Sequence, residues 1–282
     1  MLPITATKMF FAKLNTISLI YICFILYDAV KDVEARRQPR MINGEDVLIE
    51  EIPSNVFIRS FLRINGSLEM SFCSGSLITP THVVTAAHCT VEYNATFMTS
   101  PYYRLPQQTF VRAGVANIRQ RGNDYTVKRI YRHEHYKIQR ELNPGSWFDI
   151  AILELNEVVE LGPTQQIVKL PCHSPDFDKE GILFGSGPTS SDPRTLGTIK
   201  KGTFKVVPCT NWEYYRHICI WSETVNSTQG DSGSAFIIDD RLGGIMSAIP
   251  NKRDYFILTN VVKYFDWIVN IVGMPEEFEG LL

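Results

Sequence analysis

Thr85-Ala86-Ala87-His88-Cys89 is the segment on which the interpretation of this sequence depends, because two later segments supply groups that can act with its histidine. These are Asp149-Ile150-Ala151-Ile152-Leu153 and Gly230-Asp231-Ser232-Gly233. A serine hydroxyl is a poor nucleophile at neutral pH, and it becomes reactive when an imidazole accepts its proton and a buried carboxylate orients that imidazole. Each segment alone has an ordinary explanation as a turn or as part of a packed core. Together, in the order His88, Asp149, Ser232, they indicate nucleophilic catalysis by the serine.

The rest of the chain has the pattern of an all-β protein. Short β-branched or aromatic runs are separated by Gly, Pro and Asn, which is typical of barrels and sandwiches rather than of alternating strands and helices. The runs are Asn55–Ile64, Ser76–Thr85, Thr109–Val115, Tyr125–Tyr131, Ile150–Leu155, Thr198–Val207 and Ala235–Ile238. Near the C-terminus, apolar residues recur at helical spacing within Val261–Val272, and this predicts a closing amphipathic helix.

Composition excludes some classes of partner. The chain has 282 residues, of which 44% are hydrophobic and 21% charged, as in ordinary globular proteins. The formal net charge is −2, and acidic and basic residues are interspersed, so no field strong enough to attract nucleic acid or anionic lipid is evident. We expect a monomer with no nucleic-acid and no membrane partner.

The N-terminus has the pattern of a secretory signal peptide. Lys8 and Lys13 precede the uncharged apolar run Leu14–Tyr27, which is shorter than the roughly 20 residues that a membrane span requires. We predict a signal peptide over residues 1–30, with an end that could extend to 35; a membrane anchor is the alternative. The expected location is therefore extracellular, where cysteines form disulfides.

The three segments resemble those of the chymotrypsin and trypsin family of serine proteases (peptidase family S1), in which the catalytic residues have the same order. The resemblance covers about Met41 to Val272. It implies two packed six-stranded antiparallel β-barrels, with the catalytic cleft between them. Lipases and esterases use the same chemistry, but they have another residue order and a Gly-x-Ser-x-Gly elbow that this chain lacks.

The resemblance also assigns roles to residues of the catalytic site. It implies that His88 acts as general base and then as general acid, that Asp149 orients it, and that Ser232 attacks the carbonyl of a peptide or protein substrate. The backbone amides of Gly230 and Ser232 are the expected oxyanion hole. The family usually has a second glycine where this chain has Ser234.

Two disulfides follow from the same resemblance. It pairs Cys73 with Cys89, and Cys209 with Cys219 across a shortened loop. Cys172 has no evident partner, and other connectivities stay open.

Activation by proteolysis is a further expectation. In the family, cleavage before a hydrophobic residue frees an α-ammonium group that pairs with the aspartate before the catalytic serine, because a buried charge needs such a partner. Arg40, Met41 and Asp231 match these positions, although the family prefers Ile or Val to Met. We predict a short propeptide over 31–40, a peptidase domain over 41–282, and an upstream protease that cuts after arginine. The alternative is a linker that stays attached.

The predicted specificity pocket differs from that of trypsin. Asn226 occupies the position of the aspartate that binds Lys or Arg side chains, and a neutral amide cannot supply that charge. Ser247-Ala248-Ile249 replaces Ser-Trp-Gly, and Phe256 stands where open pockets have glycine. We predict a shallow pocket for small or medium apolar side chains. The alternative is a non-catalytic serine-protease homologue, secreted as a binding or regulatory protein.

Other features are less informative. We expect no cofactor and no metal, since His133-x-His135 lacks residues to complete a site and is better explained as surface histidines of a strand. The insertion Val91–Gln108 is expected as a loop near the cleft, either gating substrate or simply variable. A protein inhibitor is a further expected partner. Sequons at Asn65, Asn94 and Asn226 predict a glycoprotein.

Overall fold

The computed structural model describes most of the chain from Gly44 onward, within the unit Pro39–Leu282. The described residues are 44–64, 67–93, 101–136, 148–187, 197–209, 215–225, 231–249 and 255–274. The predicted signal peptide and propeptide lie outside them, as do Arg40, Met41, Gly230 and the three sequons.

Strands make up most of the described structure. Strands β1 to β15 are, in chain order, Glu45–Asp46, Asn55–Ile64, Ser67–Thr79, His82–Thr85, Val91–Tyr93, Pro101–Tyr103, Thr109–Ala113, Asn123–Arg132, Ala151–Leu155, Glu180–Gly185, Lys200–Val207, His217–Trp221, Ala235–Ile238, Arg241–Ala248 and Phe256–Asn260. Short 3₁₀ helices lie at Ile49–Glu51, Ala87–Thr90, Pro106–Gln108 and Val261–Tyr264, and helix α1 is Phe265–Val272.

The first barrel closes in the strand order β2-β3-β4-β9-β8-β7, with antiparallel pairing throughout. In β7, Thr109, Val111 and Ala113 are buried and the residues between them are not, as expected where one face of a strand lines a barrel. Strand β9 contributes Ile152 and Leu153 to the core, both fully buried.

The second barrel has the order β11-β10-β13-β14-β15-β12, and the pairing of β11 with β12 closes it. Strand β1 pairs with Lys200 and Lys201 at the beginning of β11. Leu183, Phe204, Phe236 and Leu258 fill the interior. Two six-stranded antiparallel barrels were expected from the sequence, and the structure confirms them.

The C-terminal helix is also confirmed, although only its second part is α-helical. Val261–Tyr264 is a 3₁₀ turn and α1 begins at Phe265. Ile268 of α1 and Tyr264 belong to a core cluster that contains residues of both barrels, including Ile152 and Ile245. Helix α1 therefore packs where the two barrels meet. In the described part of the chain, no helix combines the length and the apolar character needed to cross a bilayer.

Candidate active site

His88 and Asp149 lie at one end of a pair of neighbouring strands. His88 follows β4 and Asp149 precedes β9, and these strands are paired with Thr85 opposite Ala151. His88 Nδ1 lies 2.8 Å from Asp149 Oδ2, and the His88 backbone N–H donates to Asp149 Oδ1 at 2.8 Å. Both carboxylate oxygens therefore bind the same residue, and this fixes the orientation of the imidazole.

The second barrel holds the carboxylate of the first. Ser247 on β14 donates its hydroxyl to Asp149 Oδ2 at 2.5 Å, and Thr259 on β15 donates to the Asp149 carbonyl oxygen at 2.8 Å. Asp149 is almost completely buried. Burial opposes its ionisation, but the charge and hydrogen bonds of His88 and the Ser247 hydroxyl outweigh that effect and lower the pKa of Asp149 below its ordinary value.

The electrostatics of His88 follow from the same pair. Burial favours the neutral imidazole, and the Arg104 guanidinium acts in the same direction. The negative charge and the hydrogen bond of Asp149 outweigh both and raise the pKa of His88 above its ordinary value. The pair can therefore stabilise an imidazolium, as a general base must after it takes a proton.

The turn that carries Ser232 lies before β13 and is tied to both barrels. The Ser232 carbonyl oxygen accepts a hydrogen bond from Ser74 N–H at 2.9 Å, and Gly233 N–H donates to the Met246 carbonyl oxygen at 2.9 Å. Gly233 has a φ of +79°, and a Cβ there would lie 2.1 Å from the Ser74 carbonyl oxygen. Only glycine fits this position, because both its backbone conformation and its surroundings exclude a side chain.

Ser232 is partly exposed. Among the described residues, no hydrogen bond joins the Ser232 hydroxyl to His88 Nε2, and the Cys89 sulfur lies 4.0 Å from that nitrogen. In nucleophile–base pairs this bond commonly shortens only when substrate binds.

Asp231, immediately before Ser232, is fully buried in a narrow backbone pocket. Gly187 N–H donates to its Oδ1 at 2.8 Å. A Cβ on Gly185 would lie 2.3 Å from the same oxygen, so the end of β10 can approach the carboxylate only as glycine.

The disulfides form as the resemblance implies. Cys73 and Cys89 are joined at an S–S distance of 2.02 Å, and Cys209 and Cys219 at 2.06 Å. Cys172 is free and exposed. The first bridge fastens β3 to the turn of His88.

Comparison with known proteins identifies the family. Residues 42–268 match the family described as Trypsin. The chain belongs to the trypsin family. Hypodermin-B of Hypoderma lineatum is 26% identical over 81% of this chain and 86% of that protein, and trypsin theta of Drosophila melanogaster is 27% identical over 83% and 87%. Complement C1s subcomponent of Sus scrofa is 27% identical over 81% of this chain and 35% of that protein.

Solved structures similar to this trypsin-family chain share its fold. An inactivated protease paralogue of the scabies mite, S-D1, superposes with a TM-score of 0.68 at 20% identity, covering 82% of this chain and 97% of that one. A mutant of human heparin binding protein has a TM-score of 0.64 at 22% identity, covering 83% and 97%. At these identities the likeness concerns the fold alone.

The predicted pocket residues occupy different environments. Ser247 binds Asp149, whereas Ile249 is exposed. Phe256 is 6% exposed and belongs to the core cluster of the second barrel, where its ring meets that of Phe204 edge-on at 5.7 Å. Val225 belongs to the same cluster, and it directly precedes Asn226, which lies outside the described residues. Phe256 thus packs as an interior side chain.

The insertion after His88 was expected as a loop, and its described part instead includes a hairpin of β5 and β6. Arg132 on β8 anchors it: its guanidinium donates to Thr90 Oγ1 at 2.7 Å, to the Thr90 carbonyl oxygen at 2.9 Å and to the Arg104 carbonyl oxygen at 2.7 Å. Strand β8 of the first barrel thereby holds the hairpin beside the turn that carries His88.

Sequence reasoning missed a residue directly before Asp149. Phe148 has a φ of +60°, which is rare for an aromatic residue. Its ring stacks on His133 with centroids 4.6 Å apart, and the Arg216 guanidinium lies 5.0 Å from its centroid. No periodicity or motif in the sequence predicts this contact, because the partners come from separate parts of the chain.

The same contact corrects the expectation for His133. It was expected as a surface strand histidine, but it is buried in this aromatic cluster, and His135 N–H donates to its Nδ1 at 3.2 Å. Among the described residues, one group has the spacing of metal ligands, Cys73, His88 and Cys89. Its two cysteines form a disulfide, so their sulfurs are not available as thiolate ligands.

Proposed function

We propose that this protein is a secreted serine endopeptidase that hydrolyses peptide bonds through an acyl-enzyme. The observation that carries the proposal is the buried Asp149 carboxylate, which binds His88 through both oxygens. It also accepts a hydrogen bond from the Ser247 hydroxyl of the opposite barrel. A protein used only for binding has no chemical need for this arrangement next to the strictly shaped turn of Ser232.

In the proposed reaction, Ser232 Oγ attacks the carbonyl carbon of the scissile peptide bond while its proton moves to His88 Nε2. The oxyanion that forms accepts hydrogen bonds from the backbone amides of Ser232 and Gly230. His88 then donates the proton to the leaving amine. Water, deprotonated by His88, attacks the acyl group in the second half of the reaction and frees Ser232.

The proposed specificity is for small or medium apolar side chains before the scissile bond, such as Ala, Val or Leu. It is supported by Asn226, which cannot neutralise a basic side chain. It is also supported by Phe256, which stands where open pockets have glycine. Its buried aromatic ring occupies space that a glycine would leave to the pocket, so the pocket is expected to be less deep.

Maturation is proposed to require two cleavages. Signal removal near residue 30 is consistent with the disulfides, which form in an oxidising compartment. Cleavage after Arg40 by an upstream protease would then release residues 31–40 and expose Met41. The proposed partners are protein or peptide substrates, this activating protease and a protein inhibitor.

A non-catalytic, secreted binding homologue is the second candidate. The burial of Phe256 in the barrel core favours it, because the same side chain that makes the pocket shallow can also close it. The two candidates differ in the reactivity of Ser232.

A fluorophosphonate probe separates them. The protein, cut after Arg40, is expected to be labelled at Ser232, and Ser232→Ala is expected to abolish labelling. A peptide library should then show cleavage after Ala, Val or Leu. Absence of Ser232-dependent labelling supports the binding homologue, and efficient cleavage after Arg or Phe contradicts the proposed pocket.

A further inference from the structure

A pair of buried serine hydroxyls joins the two barrels next to the active site. Ser74 lies on β3 of the first barrel and Ser186 follows β10 of the second, and their Oγ atoms are 2.6 Å apart. Both residues are fully buried. We call this pair the serine bridge.

On one side, the serine bridge contacts the turn of Ser232. Ser74 N–H donates to the Ser232 carbonyl oxygen at 2.9 Å. The Ser74 carbonyl oxygen accepts a hydrogen bond from Thr85 Oγ1 at 2.7 Å and lies against Gly233 too closely for any Cβ. Ser74 also follows Cys73, whose disulfide partner Cys89 is adjacent to His88. One end of the bridge is thus fixed relative to both nucleophile and base.

On the other side, the serine bridge contacts the surroundings of Asp231. Ser186 stands between Gly185, which packs against the Asp231 carboxylate, and Gly187, whose N–H donates to Asp231 Oδ1 at 2.8 Å. Gly197 N–H donates to the Ser186 carbonyl oxygen at 2.8 Å. The position of Ser186 therefore determines where the donor to Asp231 lies.

The two hydroxyls depend on each other. Among the described residues, neither hydroxyl has a hydrogen-bond partner other than its counterpart. A buried hydroxyl without a partner is destabilising, so removal of either one leaves the other unsatisfied. The bond therefore fixes the spacing between Ser74 and Ser186.

We infer that Ser74 and Ser186 are positioning residues, whose hydrogen bond across the barrels holds the Asp231–Gly233 turn in register with His88. The inference rests on the proposed function for its catalytic consequence, but not for its structural content. The bridge acts on Ser232 through the backbone and touches no reacting atom.

The test compares Ser74→Ala, Ser186→Ala and the double variant with wild type, each cut after Arg40. The matched control is Ser60→Ala, which breaks a buried Ser–Thr hydroxyl pair inside the first barrel, where Ser60 Oγ donates to Thr109 Oγ1 at 3.3 Å. The first measurement is hydrogen exchange of the backbone amides of Gly187 and Gly233. The second is fluorophosphonate labelling, resolved into KI and kinact, at a temperature where circular dichroism shows every variant folded.

Each single variant is expected to exchange these amides at least about tenfold faster and to lose about tenfold in kinact, with KI nearly unchanged, because a displaced nucleophile reacts more slowly once the probe is bound. The double variant leaves no orphaned hydroxyl, so it should fold at least as well as the single variants. Its kinact should fall no further than theirs, since all three break the same link.

The inference is overturned if the Ser74 and Ser186 variants show the same exchange rates and the same kinact as Ser60→Ala. It is also overturned if they lose thermal stability without a change in kinact. If wild type is not labelled at all, the proposed function fails, and the exchange data alone decide the structural inference. Faster exchange in the single variants supports it in that case.

Discussion

At the level of single residues, the His88–Asp149 pair shows burial and hydrogen bonding acting in opposite directions. Burial favours the neutral form of both groups, and their mutual attraction favours the charged forms. The attraction prevails for both, so the pKa of His88 is raised and that of Asp149 is lowered. The buried Asp149 carboxylate is thus stabilised as an anion by the His88 imidazole and by the Ser247 hydroxyl, which both bind it.

This pair predicts a pH dependence of activity. His88 accepts a proton only when neutral, so the labelling rate should fall as pH decreases through the pKa of His88, which lies above 6.5. The measurement is kinact for the fluorophosphonate between about pH 5 and 9. We expect the half-maximal rate above pH 6.5 in wild type.

Asp149→Asn provides the control for that profile. Its maximal rate should fall by on the order of 10⁴-fold, because an amide orients the wrong tautomer. The acid limb of the profile should move to lower pH. Burial lowers the pKa of His88, and without the Asp149 charge nothing comparable opposes that effect. A wild-type midpoint below 6.5, or a midpoint that does not respond to this substitution, would contradict the assigned role of Asp149.

Stability should depend on pH through the same two groups, with opposite signs. The His88 contribution is complete below its unfolded pKa of 6.5 and is lost as pH rises through its raised folded value. The Asp149 contribution is present above 3.8 and is lost as pH falls through its lowered folded value. The pair therefore stabilises the fold most between these two unfolded values.

Single residues also show where sequence reasoning reaches its limit. His88, Asp149 and Ser232 could be predicted as catalytic residues because each lies in a distinctive local segment. Ser74, Thr259 and Phe148 could not be predicted, because their roles arise from contacts across strands or barrels. A serine on a strand looks the same in the sequence whether its hydroxyl faces water or another barrel.

At the level of elements, glycine explains why the sequence pattern did not reveal strand β14. Strand β14 contains Gly243 and Gly244, and a Cβ on them would lie 2.6 Å from the Ile238 side chain and 2.9 Å from the Leu258 side chain. Glycine normally weakens a strand pattern. Here close packing requires it, so the local signal and the tertiary requirement disagree.

The hairpin of β5 and β6 gives a prediction at this level. The guanidinium of Arg132 is its main polar anchor among the described contacts, with Thr90 and Arg104 as acceptors. Replacement by Met should increase hydrogen exchange at the amide of Arg104, which donates to the Thr90 carbonyl oxygen. Unfolding free energy should fall by about 2 kcal/mol, the order expected for charged hydrogen bonds.

Arg129→Met is the matched control for Arg132→Met. Both arginines lie on β8, but Arg129 is exposed and its hydrogen bond is to Tyr131 of the same strand. Equal exchange in the two variants would show that the hairpin is held by its own pairing rather than by Arg132. Exchange that rises only in Arg132→Met supports the anchor.

At the level of the whole molecule, neither barrel contains all the residues of the proposed catalytic site. The first provides His88 and Asp149, and the second provides Ser232, Ser247 and Thr259. Two cross-barrel hydrogen bonds reach Asp149, and a third joins Ser74 to Ser232. The relative position of the barrels would therefore control the geometry of the proposed catalysis, and a change that shifts one barrel should alter the labelling rate without touching His88, Asp149 or Ser232.

Activation is the prediction that depends on this arrangement as a whole. Asp231 is fully buried in a pocket shaped by Gly185 and Gly187, next to Ser232, the proposed nucleophile. A new α-ammonium group at Met41 would stabilise this carboxylate as an ion pair, and such buried pairs, when broken, cost about 3 kcal/mol. That energy corresponds to about a hundredfold in the population of the active arrangement. Cleavage after Arg40 should therefore increase the labelling rate of Ser232 by about this factor.

Three proteins test the activation mechanism. Arg40→Gln, treated with the same activating protease, should stay uncut and slow. Asp231→Asn should be cut normally but remain slow, because the new cation then finds a neutral amide instead of a carboxylate. Acetylation of the Met41 amine after cleavage should also restore the slow rate, since it removes the charge without changing the cut. Equal labelling of cut and uncut wild type would show that Asp231 is held by groups other than the new N-terminus, and that the segment before Met41 is a linker whose removal has no effect on the site.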